Sequence, residues 1–402
     1  MSLRNIGIVY RKELLDSLRE RRTLLSMILA PILLMPVLTI GMGYVAFRLV
    51  YEARREVPKV MILGGEDSPA VMAKLRELRT IRLVPPSPDY ADQVANKKIR
   101  VAVEIPKGFD AAVEHGEPAD VKIYVYEGNL RSQFASRRMQ GFFRELRQGV
   151  VRERLAARNV SESLLEPFTI TEQNVASPEK VWGSIFGGLM AYMVILLCMT
   201  GATYPAMDLT AGEKERGTME TILCSPVSRT HLVLGKFLTV LTTSLASAAL
   251  SVTSLALTFL ATKGVLGSLD PEGPALLRFA INPKAVIAVF IMVIPVAVIL
   301  SATLLAISLF AKSFREAQTY ISPLTIVVVM LAVVSALPGT ELNARLALLP
   351  ILNTSLVSKE IITGTYHWNF IALIFASSCV YGALALGVAV KLFQREDVLF
   401  RA

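Results

Sequence analysis

The chain has 402 residues, of which 53% are hydrophobic and only 19% charged, with a mean hydropathy of +0.51 and a net charge of +9. Soluble domains carry about 25% charged residues, so this balance excludes a soluble enzyme, a disordered chain and a fibrous protein. Residues 48–182 hold 41 of the 75 charges, which predicts one water-soluble domain spliced into a membrane protein.

Before the first apolar run, Ile6, Tyr10, Leu14 and Leu18 recur at i, i+4 spacing with Val9 beside them, while Arg11, Lys12, Asp16, Arg19 and Glu20 point elsewhere. This predicts an amphipathic helix over 1–23 lying in the inner membrane surface, where basic residues favour anionic headgroups. Residues 24–47 form the first predicted span. Its apolar stretch is too long for a signal-peptide core, contains Pro31 and Pro36 and precedes no small-residue cleavage site, so it reads as a retained anchor.

Strand and helix patterns alternate in 48–182. Lys59–Leu63, Thr80–Val84, Val101–Ile105 and Val121–Tyr126 read as strands; Pro69–Leu78, Tyr90–Lys97 and the arginine-rich Asn129–Arg158 read as helices. A domain of this length can support its own core. Arg137, Arg138, Arg144 and Arg147 could form a basic face, but the interspersed Glu145 and Glu153 favour an ordinary solvated helix. His115, on a Glu-Gly-Glu-Pro stretch, reads as a solvated loop residue.

Five further charge-free runs follow: Gly183–Met207, Phe237–Thr262, Ala285–Ala311, Tyr320–Leu337 and Phe370–Val390. A helix needs roughly 20 residues to cross about 30 Å of hydrocarbon; the fourth of these runs has 18 and the others more. The predicted fold is therefore an α-helical membrane protein with six transmembrane helices and a large extracytoplasmic α/β domain between helices one and two. With the N-terminus inside, inner segments carry fifteen Lys and Arg against five in the short outer loops. That bias favours both termini in the cytoplasm. The stretch 343–362 is apolar but broken by Pro350, Asn353 and Lys359, too interrupted for a seventh span.

Chemistry is sparse. Cys198, Cys224 and Cys379 lie far apart without a CxxC, so neither a disulfide nor a metal site is indicated. There is no HExxH, no GxSxG and no paired catalytic set in the spans, so no catalytic residue is assigned. The positive charges form no aromatic-interleaved patch for nucleic acid.

The most specific stretch is 208–236, DLTAGEKERGTMETILCSPVSRTHLVLGK. Thr218 after Gly217 is placed to cap a short helix. Met219, Ile222 and Leu223 share one face of it, and Ser225-Pro226 ends it. Ser228 is placed to cap the next helix. The pattern is an exposed apolar edge with a charged flank of Glu213, Lys214, Glu215, Arg216 and Glu220, suited to a partner's groove; a loop folded on its own membrane domain is the alternative. Gly212-x4-Gly217 and Gly235-Lys236 are two incomplete phosphate loops, since neither combines the glycines with the lysine and hydroxyl that a nucleotide needs. In span five, Gln318, Ser322 and Thr325 share a face and are low-ranking candidates for a translocation path. Thr239, Thr243, Ser247, Ser251, Ser254 and Thr258 stripe span three, where small polar residues more often permit close helix packing.

The run GATYPAMDLTAGEKERGTMETILCSPVSR (201–229), with LLPILNTSLVSKEIITG (348–364) and FQREDVLF (393–400), resembles the permease subunits of ATP-binding-cassette type 2 exporters, most of all the NatB-type sodium-extrusion subfamily. The likeness extends over the whole chain. It implies a permease in the bacterial plasma membrane, two permease protomers (a homodimer, with a close relative as second protomer the alternative) and two cytoplasmic ATPase subunits that hold the ATP and magnesium, none bound by this chain. It also implies that Glu213, Glu215, Arg216, Gly217, Thr218, Met219, Glu220, Ile222, Leu223 and Pro226 belong to a coupling helix docking into the ATPase. Short re-entrant helices before the last span, which 343–362 is similar to, belong to the same pattern. A signalling or mechanotransmission protein with an outer ligand-binding domain is the competing reading.

Overall fold

The computed structural model describes residues 3–158, 160, 178–269, 283–337, 340 and 342–395. The polar connection 169–177, most of the 263–284 loop and the terminal 396–402 lie outside the described residues. The chain divides into two compact units, one comprising 1–43 with 175–402 and the other 44–174.

Helix α1 (Leu3–Arg19) stops at Glu20, whose extended backbone separates it from α2 (Arg21–Leu24); a π-helical turn, Leu25–Leu29, then leads into α3 (Ala30–Arg55). The face of α1 that packs on the bundle is Ile6, Val9, Glu13 and Ser17, rotated from the expected one. Leu15 and Leu18 point outward instead. The i, i+4 apolar spacing is present, but a second stripe ending in Glu13 and Ser17 meets the protein.

The 44–174 unit runs β1 (Lys59–Gly64), α4 (Pro69–Glu77), β2 (Arg82–Val84), α5 (Tyr90–Ala95), β3 (Val101–Ile105), α6 (Phe109–His115), β4 (Lys122–Val125) and α7 (Leu130–Ala157). The strand order is β2-β1-β3-β4, with β2, β1 and β3 parallel and β4 antiparallel at the edge. Alternation sorts the faces: Val60, Ile62, Val101, Val103 and Ile105 join a core with Val71 and Leu75 of α4 and Met139 of α7, while Met61 and Ala102 meet Val94 and Ile99 on the other side. Val60 pairs with Val101 and Val101 with Val125. Asn129 caps α7 by accepting from Arg131 N at 2.9 Å and Ser132 N at 3.2 Å. Helix α6 is not expected from the sequence. His115 is its exposed last residue rather than a loop residue, with Nδ1 2.7 Å from Ala111 O. Arg138 is not merely solvated either, since it donates to Thr80 O at 2.6 Å.

The remaining helices are α8 (Pro178–Met207), a π-helical turn (Asp208–Gly212), α9 (Glu213–Glu215), α10 (Thr218–Leu223), α11 (Arg229–Leu269), α12 (Pro283–Ser308), α13 (Phe314–Ala336), α14 (Leu352–Ile362) and α15 (Trp368–Gln394). Six segments among the described residues are long and apolar enough to cross a membrane: Arg21–Val45, Gly187–Glu215, Arg229–Ala261, Lys284–Ser308, Phe314–Ser335 and Trp368–Gln394. Several extend past their charge-free runs, because a helical backbone does not stop at the first charged side chain.

Helix α8 is central, packed by α11, α12, α13 and α14. The hydroxyl stripe of α11 is buried, and Ser247 Oγ donates to Leu197 O at 2.8 Å; Ser244, beside the stripe, donates from Oγ to Cys198 O at 2.9 Å. These bonds seat α11 on α8 and support the packing role for the stripe. Helix α14 is sunk among its neighbours, with every residue from Leu352 to Ser358 buried. It does not form a surface loop. Its entry is strained at Ile351, a β-branched residue at φ 73°. Asn353 ties it down, with Nδ2 donating to Ala347 O at 3.0 Å and Oδ1 accepting from Thr354 N at 2.6 Å.

Candidate functional site

The loop between α8 and α11 is built from short, separately fixed pieces. The π-helical turn leaves Asp208 beside Arg216, 2.8 Å away. Gly217 then reverses the chain at φ 71°, a left-handed conformation that glycine adopts at least cost. Gly217 therefore occupies the cap position of α10, and Thr218 does not cap as expected; its hydroxyl donates back to Glu213 O at 3.2 Å. Helix α10 ends at Leu223, before Ser225-Pro226. Ser228 Oγ accepts from His231 N at 3.4 Å at the start of α11.

The expected exposed apolar edge is not free. Met219 is 3% exposed and sits in the helical core with Met207, Leu232 and Val233, and Ile222 and Leu223 pack against that core. Burying a methionine side chain contributes about 1.5–3 kcal/mol, which holds α10 down on its own membrane unit. Glu215, Arg216, Gly217, Thr218, Glu220 and Pro226 remain exposed. The outward face of the loop is thus polar, with no apolar knob.

Glu213 also departs from the expected charged flank. It is buried and ion-paired with Lys236, which is fully buried in α11 and also donates to Leu209 O at 2.6 Å. Glu13 of α1, likewise buried, is paired with Lys12 at 3.1 Å. Helix α1 approaches closely here because residue 235 is glycine: a Cβ on Gly235 would stand 2.6 Å from Val9 Cγ1. The Gly235-Lys236 pair that resembles half a phosphate loop is instead a packing notch followed by a buried counter-ion. Sequence reading misses this pair because the partners lie 23 residues apart on different helices.

The same loop grips the other helices. Lys214 Nζ donates to Leu309 O at 2.5 Å, and Glu215 Oε2 accepts from Phe314 N at 2.8 Å, so both reach the connection between α12 and α13. Arg229 donates to the carbonyl of Gln394 at the end of α15, at 3.2 Å. The hydrogen bond to Asp208 raises the Arg216 guanidinium further above its already high value. The Glu20 carboxyl is pushed above its usual range, first by burial and then by the nearby Asp208 carboxylate.

The path candidates are not brought to this loop. Gln318 and Ser322 are exposed on α13 and Thr325 is half-buried beside them. Ser322 Oγ donates to Gln318 O at 2.8 Å and Thr325 Oγ1 to Ile321 O at 3.3 Å, each within the same helix.

Six long apolar helices, with α11, α12 and α13 packed on a central α8 and one loop hydrogen-bonded to the ends of several, describe a polytopic membrane protein. The chain belongs to the ABC-2 transporter family: the family model described as "ABC-2 family transporter protein" matches residues 21–391. It is similar to the ABC transporter permease protein NatB of Bacillus subtilis (strain 168), with 29% identity over 361 residues, covering 89% of each chain. No solved structure matches. The chain is therefore the permease of an ABC transporter, and membership implies a partner ATPase.

Proposed function

We propose that this chain is the permease of an exporter whose separate ATPase subunits dock on the exposed polar face of α9 and α10. The observation that carries the reading is the loop's construction: its outer face is polar and open, while its inner face is fastened through Glu213–Lys236 to α11 and through Lys214 and Glu215 to the α12–α13 connection. A contact pushed from outside would move several spans as one, because packed and hydrogen-bonded groups transmit displacement rather than absorb it. ATP and magnesium belong to two ATPase copies, and this chain supplies the conduit and the mechanical contact.

The docking loop and both termini face the cytoplasm in this reading, and the 44–174 unit faces outward, as the Lys and Arg bias favours. A second copy completes the permease, with the path between protomers reshaped by α8 and α13. An exposed glutamine amide on a membrane helix is costly against lipid, so the Gln318–Ser322 stripe favours a protein or water-lined neighbour there. Segment 343–362 enters the outer half of the bundle as a re-entrant helix. Sodium is the first solute to test, on the strength of the subfamily resemblance, with no ionisable side chain in the apolar span centres to support it.

The test alters the exposed face of α10. Glu220→Lys with Thr221→Lys, both exposed, should abolish co-purification of the ATPase and solute-dependent ATP hydrolysis while leaving the permease folded. Full assembly and transport by that variant would overturn the docking assignment. ATP-driven sodium movement in proteoliposomes tests the solute separately, and a sodium-independent ATPase rate with no sodium flux removes sodium alone.

A further inference from the structure

We propose that the 44–174 unit carries a binding groove for a single-chain amphipathic carboxylate, with its alkyl tail on the apolar floor and its head on Arg144 and Arg147. The groove is a cavity of about 700 Å³ between α4, α6, β4 and α7, inside the roughly 300–1,000 Å³ range of small-molecule sites. Its floor is continuous with the domain core through Val71, Phe109, Ile123, Phe143 and Leu146, and Val150 extends the lining along α7. Apolar surface left open at this depth is filled in most binding sites by a ligand's apolar part, with a few charged groups fixing its orientation.

The charge on the walls chooses the head group. Arg144 and Arg147 stand one turn apart on α7, both exposed and both lining the cavity, and neither meets a carboxylate among the described residues. Lys74 faces them from α4. Paired guanidiniums match a carboxylate's two oxygens. Of the acids lining the cavity, Asp110 is already engaged by the first turn of α4, accepting from Ala70 N at 2.7 Å and Val71 N at 3.4 Å. Glu114 and Glu117 stand on the α6 side. They repel a second anionic group, so the groove admits one head, held on the α7 side, and a neutral tail. Glu145 and Glu153, which make α7 look like an ordinary solvated helix in sequence, do not line the cavity. The groove lies within the 44–174 unit and does not rest on the reading of the coupling loop.

The test uses the full-length protein in phosphatidylcholine nanodiscs and a diazirine-bearing dodecanoate, with the matching alcohol and amine as controls. The carboxylate should crosslink to peptides covering α6, β4 and α7 and be displaced by unlabelled dodecanoate. Arg144→Gln with Arg147→Gln should weaken carboxylate labelling at least tenfold and leave alcohol labelling unchanged; Arg144→Lys with Arg147→Lys should retain most of it. Val150→Trp should block both probes. Equal labelling by carboxylate, alcohol and amine would overturn the choice of ligand, and labelling confined to the membrane spans would overturn the site.

Discussion

Lys236 illustrates how little a side chain's type says about its task. In a list of residues it is one more positive charge at the edge of an apolar run. In the fold it is fully buried and closes an ion pair with Glu213. Removing one member of such a pair leaves an uncompensated buried charge and costs about 3–5 kcal/mol. Lys236→Met should therefore sharply lower the thermal midpoint of the purified permease, and Glu213→Gln added to it should recover part of the loss. A double variant no more stable than the single one would show that the two do not act as a pair. Glu20 carries a pH signature. Its carboxyl is raised by burial and by Asp208, so the folded state holds its proton more tightly than the unfolded state. Its contribution is most favourable in acid and is lost as pH rises through the raised value. Glu20→Gln should raise the thermal midpoint at neutral pH, with the gain shrinking as pH falls through the raised value and gone once pH is below the usual carboxylate range.

At the scale of elements, α10 turns its apolar face inward rather than to a partner, and α1 meets the protein along a stripe that includes Glu13 and Ser17. Helix α10 buries Met219 and shows Thr218, Glu220 and Thr221. Met219→Ala should destabilise the permease by about 2–5 kcal/mol, as a buried large-to-small change does, measured by thermal melting without the ATPase. An unchanged midpoint would mean that α10 is not seated. Helix α1 depends on the notch at Gly235. Gly235→Val should detach it from α11, exposing the stretch around Ile6 and Val9 to limited proteolysis while the spans stay protected. The central strands of the 44–174 unit were legible as short apolar runs, Val60–Ile62 and Val101–Val103, because a strand buried on both faces needs apolar side chains at every position. Helix α6 was not, since seven residues ending in Glu-His are too short for a helical period to register. The apolar face of α10 was legible too, but its direction was not: spacing gives which residues share a face and never which neighbour that face meets.

At the scale of the molecule, the outward stripe on α13 is the place to look for a second copy. That span and α15 are the two least covered by the rest of the chain, and α13 differs from α15 in carrying the exposed polar pair Gln318 and Ser322. Gln318→Cys and Ser322→Cys should form disulfide-linked dimers in native membranes upon mild oxidation. A cysteine at the lipid-exposed Leu384 of α15 should not. Crosslinking that is equal at both helices, or absent at α13, would remove that interface.

The sequence by itself determined the number of candidate spans and the strand-and-helix unit inserted after the first, because apolar run length and short apolar strands are read locally along the chain. Tertiary structure alone decided that Glu213 and Lys236 neutralise one another, that Met219 faces inward, and that two arginines of α7 overlook an apolar groove. Each of these depends on which distant segment lies opposite. A charge or a methyl group acquires its role only from the neighbour that desolvates it.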